Sequence, residues 1–326
     1  MSGQSEILSA IDPRVFELFL LPTEKCNFRC TYCYENFSIG KMKKPVIDGI
    51  KALLTRKAQR IELLKVSWFG GEPLLAPEII EEISHHITSL TRISTNFQYC
   101  GSMTTNGYLL EPLVLRRLVD IGITGFQISL DGDEDAHNSR RKMLNGCNSF
   151  GQIWQNLMSI RESECNVDVL LRIHLTPDNL VSAEMLLEKI LSEFGNDRRF
   201  TVFLKPIAKL GGVNDSSTAV IADKNQSEVV RQLGRMVAKH MHVLNCSRKL
   251  EDRICSASKL NSLVVRADGS LAKCTIALYD ARNNIGQIRQ DGTLHLRREH
   301  LLPWLQGLQS LDAGHLACPY RALAMS

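Results

Sequence analysis

The 326-residue chain has no apolar run of the ~18–20 residues needed to cross a bilayer. Its N-terminus, MSGQSEILSAIDPRVFELFLLP, has no basic stretch, and Glu17 interrupts its short apolar segment, so no secretion signal is read. Charge of one sign is also missing. Against 39 basic side chains stand 35 acidic ones, a balance that gives no reason to expect nucleic acid or an anionic membrane as partner. Cysteine, by contrast, is plentiful at ten residues. Without a secretion signal this suggests a reducing, cytoplasmic compartment, where clustered cysteines are more often metal or redox sites than disulfides.

Three of the thiols are crowded into EKCNFRCTYCYE as Cys26, Cys30 and Cys33, with no fourth cysteine nearby. Structural zinc usually takes four ligands in two pairs, and no partner pair follows at that spacing. A redox C-x-x-C accounts for Cys30 and Cys33 but leaves Cys26 unexplained. An iron–sulfur cluster held by three thiolates would leave one iron open to a chelating ligand.

The surrounding pattern alternates short apolar strands with helices. Strands are expected at 15–22, 63–73, 98–107, 125–132, 167–176 and 199–207. Helices are expected at 45–58, 76–90, 111–122, 149–163, 182–195 and 225–244. This is an α/β fold with a parallel sheet, either doubly wound or a partial barrel, whose function gathers at the carboxyl ends of the strands. The cysteine loop, GGEP, TTNG, SLDG and Arg172 all fall at or near such ends, so convergence on one rim is expected.

CNFRCTYC, together with GGEP, TTNG and SLDG, resembles the motifs of the radical S-adenosylmethionine (SAM) enzymes over residues 14–207. The resemblance implies a partial (β/α)6 barrel with a four-iron, four-sulfur cluster on Cys26, Cys30 and Cys33. It further implies SAM chelating the open iron and yielding a 5′-deoxyadenosyl radical that takes hydrogen from a substrate. Tyr32 matches the aromatic near adenine. Gly70 and Gly71 match the close approach to SAM, and Glu72 the acceptor for its ammonium. Asn106 and Ser129 match residues near its methionine or ribose, and Arg172 matches the partner of its carboxylate. A flavodoxin or ferredoxin is the implied electron donor. No catalytic residue is assigned. Asp131 reads as a turn residue beside Gly132 or as an acid–base group, and Arg140 and Arg141 as a solvated basic pair or as contacts to SAM or substrate. His85 and His86 read as solvent-facing, and Cys100, Cys147, Cys165 and Cys246 as incidental thiols.

Residues 208–249 read as a linker or lid followed by a helix. Residues 250–326 resemble the SPASM or twitch extension of these enzymes, a small α+β cap built around the hairpin NSLVVRADGSLAKC. That resemblance implies a second, auxiliary cluster on Cys255, Cys274 and Cys318, with His315 at or near a fourth iron. Zinc on the same set and loss of the cluster remain alternatives. The leading expectation is an enzyme that modifies a ribosomally made peptide, by crosslinking or side-chain oxidation. With strand one opening near residue 15, the barrel and cap, or a partner protein, would recognise the peptide. A radical dehydrogenase or oxidase of a small molecule is the alternative among enzymes. A non-enzymatic iron–sulfur electron carrier is the alternative outside them, disfavoured by the SAM motifs.

Overall fold

The computed structural model describes residues 2–94, 96–244 and 254–325. Its first half contains α1 (Ser2–Ile11), β1 (Val15–Leu20), β2 (Phe28–Cys30), α2 (Lys44–Ala58), β3 (Leu63–Trp68), α3 (Pro77–Ile93), β4 (Gln98–Thr105), α4 (Pro112–Asp120), β5 (Ile123–Leu130), α5 (Glu134–Arg140), β6 (Arg141–Met143) and α6 (Phe150–Glu162). There follow β7 (Asp168–Leu175), α7 (Leu180–Phe194), β8 (Phe200–Pro206), α8 (Asp223–Val237), β9 (His242–Val243), β10 (Ser262–Val265), β11 (Ser270–Ala272), β12 (Gly286–Ile288), β13 (Leu294–Leu296), α9 (Arg298–Ser310), α10 (Ala313–Ala317) and α11 (Pro319–Met325).

The chain packs as two compact units, one of residues 1–25, 37–102 and 248–326, the other of residues 26–36 and 103–247. These units cut across the boundaries expected at 207 and 249; residue 249 and Cys246 lie outside the described residues.

In the first unit, β1 buries Phe16, Leu18 and Leu20. It pairs in parallel with β3, Val15 opposite Leu63 and Leu20 opposite Trp68. Its other edge pairs in parallel with β10, Glu17 opposite Ser262 and Leu20 opposite Val265. The segment expected as a separate cap therefore shares a sheet with the first strand. The reason is burial: Leu263, Val264 and Val265 are all inside, and Leu21, Val264, Ala272 and Leu278 form one apolar cluster. The expected hairpin is present as β10–β11, and β11, β12 and β13 continue it antiparallel. Helix α2 turns Ile47, Ile50, Leu53 and Leu54 inward, and α3 turns in Ile79, Ile80, Ile83 and Ile87. Each such side chain contributes ~1.5–3 kcal/mol on burial. Lys44 and Lys51 both reach Glu82 across the two helices. His86 is bound there too, its Nε2 lying 2.9 Å from Thr55 Oγ1 and 3.1 Å from Lys51 O, so it does not face solvent as expected.

In the second unit, β5, β7, β8 and β9 are parallel neighbours. Register sets Ser129 opposite Arg172, and β8 alternates burial along its length. Helix α8 ends at Val237 rather than running to 244. Its buried positions stop at Val230, Leu233 and Val237, and the chain turns to place β9 beside β8. A two-stranded antiparallel ribbon, β2 with β6, carries part of the cysteine loop.

Candidate active site

In the first unit, the chain leaving β1 runs through Thr23, Glu24 and Lys25 toward the cysteine loop. GGEP lies against it. A methyl group at Gly70, whose φ is +119°, would sit 2.3 Å from Thr23 O, and one at Gly71 would sit 2.4 Å from Lys25 O. The Glu72 backbone N–H donates to Lys25 O at 2.9 Å. The two glycines are thus demanded by the chain's own backbone contact, whatever else approaches them. Glu72 is fully buried, and its Oε1 accepts from Leu74 N at 3.0 Å, capping the short turn Pro73–Leu75. Next to Lys25 in sequence, Glu24 is fully buried against Arg266 on the β10–β11 hairpin. Arg266 Nε and Nη2 donate to its two oxygens at 3.0 and 2.7 Å. Sequence reasoning missed this bidentate pair.

In the second unit, Cys26, Cys30 and Cys33 line one loop as thiols. The Phe28 N–H points at Cys26 Sγ, 3.3 Å away, and the Cys33 N–H donates to Cys30 O. Burial pushes the Cys30 thiol up and the Cys33 thiol up to about 12, and the charge of Cys30 further raises the cost of ionising Cys33. Two neighbouring half-buried thiols of this kind ionise when a cation binds. The expected lid also lies here. A methyl group at Gly212 would sit 2.4 Å from Cys33 O, so glycine lets residues 211–212 close on the loop.

Under this loop lies a buried polar network. Tyr32 donates to Asp131 Oδ1 at 3.0 Å, and Arg141 Nη1 donates to the Tyr32 hydroxyl at 2.9 Å. His174 Nδ1 lies 3.1 Å from the same Asp131 oxygen and 3.1 Å from the hydroxyl. Burial pulls His174 down to about 4 and His137 down to about 3, so both are neutral imidazoles. Burial alone would raise Asp131, but His174 and Arg141 hold it below the usual carboxylate range. Asp131 is therefore an ionised network member rather than a mere turn residue, and Arg141 is buried rather than a solvated cation. Arg172 is nearby, its guanidinium 6.0 Å over the Phe203 ring and within electrostatic reach of Tyr32 and Asp131. Three buried polar atoms here lack a partner among the described residues: Asp131 Oδ2, Arg141 Nε and Arg172 Nε. Asn106 donates to Asn27 Oδ1 at 2.8 Å, tying the end of β4 to the cysteine loop. Ser129 is buried beside Arg172 in register. His174 was missed in the sequence, though it lies two residues after Arg172 on the same strand face.

The last three cysteines belong to the first unit. Cys255 feels the charge of Cys318, and Cys274 that of both, while burial pushes Cys255 and Cys274 up. The Ile276 N–H points at Cys274 Sγ at 3.4 Å, repeating the geometry seen at Cys26. The Cys255 N–H donates to Leu316 O, and the Cys274 N–H to Asn283 Oδ1. Lys273 is buried beside them, its ammonium on Lys259 O and Ser262 O and pulled down to about 7 by burial. His315 Nδ1 lies 2.8 Å from Asp312 Oδ1, and Asp312 also caps α10. Among the described residues no three His, Cys, Asp or Glu side chains stand together as a ready-made metal site. The donors nonetheless suit iron–sulfur clusters. Each group offers three thiols, an N–H aimed at one sulfur, and at least two thiols held close enough to repel when ionised.

A parallel α/β sheet with a C-x3-C-x2-C loop after its first strand defines the class. The chain belongs to the Radical SAM superfamily, whose model matches residues 20–190. A GTP 3′,8-cyclase of Trichormus variabilis is 30% identical over 140 residues, 42% of this chain and 40% of that protein. The chain thus spans about two fifths of the length of that cyclase. A protein of Methanocaldococcus jannaschii, described as uncharacterized, is 26% identical over 259 residues, covering 79% of this chain and 84% of its own. Among solved structures, native anSMEcpe with bound AdoMet and Cp18Cys peptide superposes with a TM-score of 0.65 at 20% identity, covering 85% of this chain and 78% of that one. Streptococcus suis SuiB bound to precursor peptide SuiA gives 0.64 at 15% identity, covering 96% of this chain and 73% of that one. No helix among the described residues is long and apolar enough to cross a membrane.

Proposed function

We propose that the chain reductively cleaves SAM at a four-iron, four-sulfur cluster on Cys26, Cys30 and Cys33 and uses the radical to take hydrogen from a peptide substrate. The bound cluster supplies the electron and the protein supplies the setting. The observation that carries this reading is the cysteine loop seated over the network of Tyr32, Asp131, His174, Arg141 and Arg172, whose unsatisfied guanidinium N–H groups fit a carboxylate. Arg172 and Arg141 would orient the SAM carboxylate, Asn106 and Ser129 its methionine or ribose, and Glu72 its ammonium. Tyr32 would stand near adenine, with Gly70 and Gly71 alongside. Residues 211–212 would shield the loop from water. The six βα strands support a partial (β/α)6 barrel, and the thiols of Cys255, Cys274 and Cys318 support a twitch-like auxiliary cluster. His315 would serve that cluster only by turning from Asp312.

The peptide reading draws on the fold shared with anSMEcpe and SuiB, whose structures hold peptides. A small-molecule substrate is the second reading. It is favoured by a cation-lined cavity of about 560 Å³ in the second unit and by the partial match to GTP 3′,8-cyclases. The test is release of 5′-deoxyadenosine from SAM by the reduced, anaerobically reconstituted chain. Cys30→Ala should abolish release while the chain stays folded; wild-type release from that variant would overturn the assignment.

A further inference from the structure

The β2–β6 ribbon has two chemically distinct faces. Register sets Phe28 opposite Met143, Arg29 opposite Lys142 and Cys30 opposite Arg141. Side chains alternate along a strand, so Phe28, Met143 and Arg141 share the buried face while Arg29 and Lys142 share the outer one. The ribbon continues by one further bond, Thr31 N–H to Arg140 O at 2.9 Å. Arg140, the last residue of α5, is half-buried and lines the same cavity as the exposed Lys142.

Like charges directly opposite one another destabilise an antiparallel pair. Arg29 and Lys142 are such a pair, and Arg140 adds a third cation to the cavity they line. Among the described residues no carboxylate is paired with Arg140 or Lys142. The three cations line the cavity of about 560 Å³, and Asp178 is the single carboxylate among its described lining residues. The lining also includes Ser217 and Thr218 from the segment after β8, whose hydroxyls donate to Asn214 O. That size lies within the range of small-ligand sites, and a lining with three cations against one carboxylate suits an oxyanion.

We infer that this cavity is a substrate subsite for an oxyanion, a phosphate or a carboxylate, held by Arg140 and Lys142 with Arg29 adding charge. The inference rests on the radical SAM reading above and narrows its substrate to one bearing such a group. Arg29 also donates to Cys26 O and Phe28 O, so Arg140 and Lys142 would carry most of the binding.

The test is calorimetric titration of the full chain, without SAM, using tripolyphosphate in one arm and propane-1,2,3-tricarboxylate in the other. Saturable binding that weakens with added salt is expected in at least one arm. The Arg140→Gln/Lys142→Gln variant should bind roughly tenfold or more weakly. Its near-ultraviolet circular dichroism should match the wild type, since neither side chain is buried. Binding of tripolyphosphate alone identifies a phosphate substrate, and binding of the tricarboxylate alone a carboxylate one. No binding in either arm, or equal binding by a folded double variant, would overturn the subsite. Release of 5′-deoxyadenosine by the wild-type chain is scored separately, so failure of the radical reading and failure of the subsite are distinguishable.

Discussion

Replacing Arg266 with Met isolates the buried ion pair at the root of the cysteine loop. The Glu24 carboxylate has no solvent exposure and the Arg266 side chain only 12%. The guanidinium makes three bonds, at 3.0 and 2.7 Å to Glu24 and at 2.7 Å to Leu278 O, and lies 5.3 Å over the Tyr279 ring. Met keeps the packing of the aliphatic stem but removes every one of these contacts. A buried carboxylate left without its cation costs about 3–5 kcal/mol. That is a large share of the ~5–15 kcal/mol by which a folded domain is stable. We therefore predict that Arg266→Met loses about 3–5 kcal/mol in urea unfolding. Tryptophan fluorescence is the readout, because Trp68 and Trp304 both lie in the first unit. The double variant Glu24→Leu/Arg266→Met should recover most of that loss, since an apolar pair has no buried charge to strand. Arg266→Lys should fall between, keeping the charge but losing the fork. A loss below about 1 kcal/mol, or a double variant no more stable than the single, would refute the argument that stranded charge sets the cost.

Three other predictions concern the site. Glu72→Gln keeps the oxygen that caps Leu74 but removes the charge, so SAM affinity should fall roughly tenfold or more in equilibrium binding; unchanged affinity removes Glu72 from the SAM contacts. Wild-type chain reconstituted without oxygen should hold about eight irons, and the Cys255/Cys274/Cys318→Ala variant about four, still cleaving SAM. Four irons in both would eliminate the auxiliary cluster, and zinc in its place would make that site structural. Finally, His137 and His174 have folded pKa values depressed to about 3 and about 4 from 6.5. Below pH 6.5 the unfolded chain takes up protons that the folded chain refuses, so stability is full above that pH and falls as pH drops toward 4. The slope from each histidine is at most about 1.4 kcal/mol per pH unit, and urea midpoints that stay level from about pH 7 to about pH 5 would contradict neutral burial.

The six strands that open the βα repeats were legible because their apolar residues alternate or run together between polar punctuation, and their helices carry apolar stripes. Pairing between β10 and β1 left no local trace: nothing in NSLVV says which edge it will meet. The ribbon strands β2 and β6 are three residues each, too short for a period to register. Tyr32, Asp131 and His174 form their triangle across long stretches of chain, and composition cannot tell a buried arginine such as Arg141 from a solvated one. His315 is different. Asp312 three residues ahead is an ordinary helix-capping spacing, and that local signal already offered the imidazole a partner other than metal.

The parallel pairing of Glu17 with Ser262 has a consequence for how the chain is made. As synthesis proceeds, β1 and β3 leave the ribosome early, while the strand that closes the far edge of β1 arrives only after α8 and β9. Until then β1 presents bare backbone donors and acceptors and the apolar surface of Leu18 and Leu20, a ready template for wrong partners. Such distant pairing forms slowly, because the intervening loop must first be closed. The nascent chain therefore depends on its final quarter to finish a sheet begun in its first twenty residues, and a chain stopped short of β10 would expose an adhesive strand edge.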